Sequence, residues 1–489
     1  MTTDTIGRLL DDVLALRSEI AAAKAPWTPD ADVLPNGEDR ARLANLVHYL
    51  ALRRHDLRPL QRRLMRRGLS SLGRLESRVL PTLDAVLVAL AALAGRSCAI
   101  GAPAEADFFA GEARLQAATD ALFGPPPARR RGRIMVTLPS EAASDAGFVL
   151  DLARRGMDVA RINCAHDDAD AWRAMADHVR AAGETVGRRL TVLMDIAGPK
   201  IRTGDVLPQK KARVHEGEAI RLVAASAPVL SPEVAASAAV SLPEIVRRLR
   251  VGDRFRYDDG KMEGLVESLG SDEAIVRITR TKPGGARLKP EKGINLPDTD
   301  LDLSPLTKKD DADLAAVIEC ADMIGYSFVS RPDDIDLLEA ALARRAEPQH
   351  RLGVVAKIEQ PRAVKNLPAL IARAAASSRP FGVMIARGDL AAEMGFERVA
   401  EMQEEILWLC EAASVPTIWA TQVLEDLVKD GLPSRGEMTN AAMAARAECV
   451  MLNKGPCVGQ AVTLLDGMLA RMDEHSFKKT PTLRALKSW

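Results

Sequence analysis

Lys357 and Glu359 stand two positions apart at the end of an apolar run, Gly353–Ile358. Residues two apart on a strand point to one face. An ammonium and a carboxylate so placed could neutralise a transferring phosphoryl group and hold a divalent metal; an exposed ion pair would have the same spacing. A second cluster, Ala386-Arg387-Gly388-Asp389-Leu390, follows the run Val383–Ile385. Gly388 permits a sharp turn, and a helix opening at Asp389 would offer its first amides to a carboxylate or phosphate. Asp389 itself reads either as a metal ligand or as a helix cap. The third cluster, Asp195 to Gly204, contains Lys200 and Arg202, with Arg161 and Asn163 at the end of the preceding run. Cations interleaved with carboxylates suit a polyanionic ligand with a metal, or an ion-pair network closing one end of a fold. Thr421, in Ala420-Thr421-Gln422, offers a hydroxyl for proton relay or for a structural hydrogen bond.

These clusters require strands that end on a common face. From Arg133 onward, short apolar runs alternate with amphipathic stretches: Ile134–Leu138, Val159–Ile162, Leu190–Asp195, Met323–Phe328, Gly353–Ile358, Val383–Ile385, Thr417–Ala420 and Cys449–Leu452. Eight such runs at helix-length intervals predict an α/β fold, a (β/α)8 TIM barrel, with polar residues following most runs at the active face. The rhythm breaks once. Ala219–Val223, Arg254–Tyr257, Gly264–Val266 and Ala274–Ile278, with turns at Glu216-Gly217, Asp259-Gly260 and Gly284-Gly285, predict an inserted small β-barrel lid after the third strand. Ahead of the barrel, Ile6, Leu9, Leu10, Val13 and Leu14, then Leu43, Leu46, Val47 and Leu50, recur at helical spacing. The expected organisation is a helical extension and linker over 1–130, barrel over 131–203, lid over 204–291, barrel again over 292–473, and a tail over 474–489.

The bulk properties narrow the function. The 489 residues carry 67 basic and 67 acidic side chains, a balance that argues against a nucleic-acid binder. Basic residues nevertheless crowd Arg53–Arg78, read as a solvated helical face, and Arg129–Arg133, read as part of the linker. The six scattered cysteines form no CxxC pair, and Met1–Ala21 lacks an apolar signal core. The run Ala85–Ala94 is short for a membrane span and reads as a buried helix. A cytoplasmic protein without membrane contact is expected.

Several islands together resemble the pyruvate kinase family, in the family's order. They are Gly156–Asn163, Asp195–Gly204, Asp258-Asp259-Gly260, Lys292–Pro297, Leu306–Asp310, Tyr326–Val329, Lys357–Glu359, Ala386–Leu390 and Ala420–Gln422. The resemblance implies Mg²⁺-dependent phosphoryl transfer between phosphoenolpyruvate and ADP/ATP, with Mn²⁺ as a substitute metal and a homo-oligomer as the assembly. It implies that Lys357 stabilises the moving phosphoryl group and that Glu359 and Asp389 hold the metal. Gly388 and Asp389 would bind the substrate carboxylate, Arg161 the phosphate, and Thr421 would assist protonation of the enolate. Asn163, His166, Arg202 and Lys292 would line the nucleotide path.

The chain departs from the family pattern in places. Ala165 and Ile196 stand where the family has serine and threonine, and Lys200 stands where it has glutamate. An oxygen ligand is lost and an ammonium gained, so Lys200, with Asp195, is expected to replace the family's potassium ion and K⁺ is not required. Asn453-Lys454-Gly455-Pro456 replaces Ser-Gly-Glu-Thr after the eighth strand. Only Asp473–Trp489 follows the last barrel helix, so regulation through the family's C-terminal domain is not expected. Two other readings remain at this point: a metal-dependent aldolase or lyase working through a pyruvate enolate, and a non-catalytic regulatory paralogue.

Overall fold

A computed structural model describes residues 3–29, 34–208, 213–224, 227–258, 260–299, 301–345, 352–377 and 379–481. Asp259, and residues 482–489 of the expected tail, lie outside this set. All eight expected runs form strands: Arg133–Thr137, Val159–Asn163, Thr191–Asp195, Met323–Tyr326, Gly353–Ile358, Phe381–Ala386, Thr417–Ala420 and Cys449–Leu452. Each pairs in parallel with the next in chain order, and the eighth closes on the first through Arg133↔Cys449 to Val136↔Leu452. Most of these strand residues are buried, as a barrel walled by helices demands. Met135, Val159, Leu193, Met323, Val355, Met384, Ile418 and Met451 fill the interior.

The insertion is a seven-stranded sheet with its own core around Ile220, Phe255, Tyr257 and Val276. Three of its strands, Thr203–Leu207, Ala236–Val240 and Ile294–Asn295, carry too little alternation to be read from sequence. The first and last of them are the chain's crossings into and out of the lid, and Thr203 N donates to Lys292 O at 2.9 Å there.

Among the described residues five helices precede the barrel: Thr3–Ala21, Gly37–Leu52, Arg58–Met65, Val79–Ala94 and Glu105–Phe123. The second is capped by Asn36, whose side chain accepts from Asp39 N at 2.8 Å. The apolar run within Val79–Ala94 is buried through Leu83, Val86, Leu87 and Leu90. The extension shares one hydrophobic core with the barrel's helical layer. Buried Asn45 joins them, donating to Glu76 O and to Ala412 O at 2.7 and 2.8 Å.

The fifth helix ends as a plug in the base of the barrel. Leu122 and Phe123 belong to the barrel-interior cluster. A Cβ at Gly382 would lie 2.5 Å from Leu122, and one at Gly353 would lie 2.8 Å from it, so both strands need glycine where the plug enters.

The basic run Arg129–Arg133 leads from the fifth helix into the first barrel strand and is largely packed against the barrel. Only Arg129 projects outward, with a side chain 71% exposed. Arg130 is buried against Asp158 and Asp466, Arg133 is buried against Asp120, and Arg131 stacks on Phe477 of the hairpin Ser476–Phe477 and Thr480–Pro481. The run Arg53–Arg78 is mixed. Arg58 and Arg63 are solvated, whereas Arg53 stacks on Trp408 at 4.7 Å and Arg78 pairs with Glu112. Among the described residues no helix is long and apolar enough to cross a membrane.

Candidate active site

The C-terminal ends of the strands converge on the face below the lid. Period-2 alternation turns Lys357 and Glu359 to one side of the fifth strand. The ammonium of Lys357 lies 3.0 Å from Glu359 Oε1 and 3.2 Å from Asp195 Oδ1, and donates to Ser327 Oγ at 2.7 Å. Burial works to lower its pKa, but Asp195 and Glu359 outweigh that and raise it above the ordinary lysine value. Arg161 donates Nε to Asp195 Oδ2 at 2.9 Å and Nη1 to Thr137 Oγ1 at 3.0 Å. Burial likewise opposes ionisation of Asp195, yet Lys357 and Arg161 hold its carboxyl below the usual carboxylate range. The result is a charged, preorganised mouth rather than an exposed ion pair.

Glu359 is buried, and its second oxygen accepts from Phe328 N at 2.7 Å. Burial pushes its carboxyl up, Lys357 opposes this, and the like charge of Asp389 adds to it. Two carboxylates that repel one another across a site are relieved by a cation. Magnesium takes one or two protein carboxylates and fills its remaining positions with substrate and water oxygens. Glu359 and Asp389 fit that requirement. Among the described residues no group of three or more metal-ligating side chains exists to suit a dedicated protein cage.

Lys200 reaches Asp389 Oδ1 at 2.9 Å. Asp195 holds Arg161 and Lys357, while Asp389 stands in the first turn of the helix Arg387–Met394. Desolvation works against the Lys200 ammonium, but Asp389 and then Glu359 raise its pKa.

Gly388 N donates to Thr421 Oγ1 at 3.1 Å, so the expected carboxylate-binding amide and the expected relay hydroxyl touch each other. Thr421, Gln422 and Leu424 all have left-handed backbones, with φ of 64°, 53° and 50°. Non-glycine residues hold such angles only when their surroundings enforce them. Arg387 does so here, donating to Ala420 O at 2.9 Å and to Thr421 O, and lying 4.7 Å over Trp419. Burial lowers its pKa to about 10. Its role is to hold the loop.

The expected nucleotide-path residues lie on the other flank. Asn163 Oδ1 accepts from Ala165 N at 3.1 Å and so braces its own loop. Burial lowers the pKa of His166, helped by the charges of Lys454 and Arg202, which places the replaced loop Asn453–Pro456 in the same electrostatic neighbourhood. Arg202 bridges to the lid's return strand through Glu291 O at 3.2 Å, and Lys292 faces Asp258 at 3.6 Å.

Some residues of the site escape sequence reasoning. Ser327, inside a matched island, supports Lys357. Glu393 is signalled only by its place one helical turn beyond Asp389. Burial raises its carboxyl to about 7, with Asn295 opposing and Asp389 reinforcing. It lines a cleft of about 650 Å³ between lid and barrel, together with Lys200, Asn295, Phe328 and Gln360.

The family model described as pyruvate kinase, barrel domain, matches residues 129–461. The pyruvate kinase of Mycobacterium intracellulare is 31% identical over 359 residues, which are 72% of this chain and 72% of that protein. That of Agrobacterium vitis is 33% identical over 367 residues, 73% of this chain and 72% of that protein. Among solved structures, a pyruvate kinase from Cryptosporidium parvum aligns with a TM-score of 0.62 at 24% identity over 72% of each chain, a likeness of fold. Barrel, lid and relatives together define a phosphotransferase enzyme. The chain belongs to the pyruvate kinase family.

Proposed function

We propose that the chain transfers a phosphoryl group from phosphoenolpyruvate to ADP, giving pyruvate and ATP. The observation that carries this reading is the buried Lys357 ammonium, held charged by Asp195 and Glu359 beside the Glu359 and Asp389 pair. In-line phosphoryl transfer needs positioning and charge compensation more than covalent help. Glu359 and Asp389 would hold Mg²⁺, which supplies charge neutralisation at the phosphate oxygens and at the enolate oxygen. Arg161 binds the transferring phosphate, and Lys357 stabilises the charge that spreads over it in flight. The amides at Gly388 and Asp389 orient the substrate carboxylate, so Gly388 exchanges its bond to Thr421 for one to substrate. The released Thr421 hydroxyl then assists protonation of the enolate carbon. Asn163, His166, Arg202 and Lys292 guide the nucleotide phosphates, and the lid excludes water from the transfer.

The test is a coupled assay for pyruvate formed from phosphoenolpyruvate, ADP and Mg²⁺ by the full chain. Sustained turnover is expected, and its absence would overturn the reading.

Lys200 sets the ion requirement. Its fixed ammonium lies against Asp389 and feels Glu359, so the mouth already carries a monovalent charge of its own. Turnover in potassium-free buffer is expected to stay within about twofold of that with potassium, since a resident charge replaces a bound one. Strong activation by added potassium would remove this role from Lys200.

A further inference from the structure

The lid grips the barrel at a point that phosphoryl transfer leaves unexplained. Asn295 and Arg256 are direct partners in the antiparallel pair between Ile294–Asn295 and Arg254–Tyr257. Opposed residues of such a pair project to one face. Here that face meets the helix Arg387–Met394, which carries Asp389 in its first turn.

Asn295 Nδ2 donates to Glu393 Oε1 at 2.8 Å. Arg256 Nη1 donates to Ala391 O at 3.1 Å and to Ala392 O at 2.7 Å. Those carbonyls lie in the last turn, where the helix dipole favours a cation, and Ala391 O also accepts from Gly395 N at 3.0 Å. Glu393 is one helical turn beyond Asp389, so the two carboxylates share a face. A single short helix therefore has a metal-holding carboxylate at one end and the lid's polar grip at the other.

The grip sits near the hinge rather than at the lid's tip. Thr203 and Lys292, where the chain crosses into and out of the lid, are bonded to each other, and Asn295 follows Lys292 closely. A contact so placed fixes an angle of docking.

We propose that Glu393 is a positioning residue, which by accepting from Asn295 sets how the lid docks on the Arg387–Met394 helix and so where Asp389 stands in the mouth. The consequence for Asp389 rests on the phosphoryl-transfer reading; the docking does not. Loss of the Glu393 acceptor loosens this docking, because only the Arg256 bonds to Ala391 O and Ala392 O then hold the lid to the helix, while the barrel strands are untouched.

Hydrogen exchange on the full chain tests this without turnover. Glu393→Ala and Asn295→Ala are each expected to speed amide exchange in 387–394 and in 254–257 by about three- to tenfold, the worth of one hydrogen bond. The double variant is expected to go no further than either single, and Glu393→Gln, which keeps an acceptor oxygen, to stay near wild type. Kinetically, both alanine variants should raise the Mg²⁺ concentration for half-maximal rate with a smaller effect on kcat. Unchanged exchange in Glu393→Ala, additive effects in the double variant, or equal acceleration throughout the barrel would each overturn the proposal. A wild type that forms no pyruvate would sink only the phosphoryl-transfer reading, because exchange is measured in the absence of reaction.

Discussion

Replacing Lys357 with methionine is expected to lower turnover by about 10³-fold or more while the protein stays folded. The side chain is only 12% exposed, keeps its charge, and lies 3.0 Å from Glu359 and 3.2 Å from Asp195. In such a low-dielectric pocket a fixed charge acts on the transition state far more strongly than it would in water. Methionine keeps the length and loses the charge. The partners left behind are not orphaned. Asp195 retains Arg161, and Glu359 retains the Phe328 amide. The loss should therefore appear mainly in the kcat of the folded fraction, with a lower thermal midpoint because two buried carboxylates lose the cation between them. An unchanged rate would mean that charge compensation at the mouth comes from elsewhere, with Arg161 and Lys200 as the remaining cations.

The largest expected effect on stability lies at the opposite end of the barrel. Asp158 Oδ2 accepts from Arg130 Nη1 at 2.7 Å and from Ile134 N at 2.8 Å, and its Oδ1 accepts from Arg188 Nη1 at 2.6 Å. The Arg130 side chain has no exposure at all. Asp158→Ala would leave that guanidinium buried with Asp466 as its only carboxylate, and would leave the Ile134 amide without its acceptor. Breaking a buried pair from one side costs about 3–5 kcal/mol. A thermal midpoint lower by about 5 °C is expected, with the kcat of the folded fraction unchanged because Asp158 is remote from the mouth. Asp158→Asn, which keeps the shape and one acceptor, should fall between the two. A wild-type melting curve for Asp158→Ala would show that Asp466 alone satisfies Arg130.

The two sites differ in how far they can be read from the chain. The strand Gly353–Ile358 and its ending in Lys357 and Glu359 are local facts, set by an apolar run and the period-2 geometry of an extended backbone. The same holds for the other barrel strands. Their order in the ring follows because right-handed crossovers place each beside the next. The lid was only partly legible. Ala236–Val240 is a strand made of small residues whose burial comes from neighbours distant in the chain, not from a pattern of its own. The segment ending in Leu122 and Phe123 falls within the expected helical extension, yet its end plugs the barrel. Nothing within it announces that Gly353 and Gly382 leave it room.

Residue types and spacing alone thus settle the eight-stranded architecture, since it follows from periodicity over a few residues. Folding in three dimensions settles the choice of partners. Lys200 meets Asp389, Arg130 is buried against Asp158 and Asp466, and Glu393 joins the lid to the helix of Asp389. The physical reason is common to all three. A charge takes the partner within its reach that best offsets the cost of its burial, and both reach and burial are set by elements far apart in the chain.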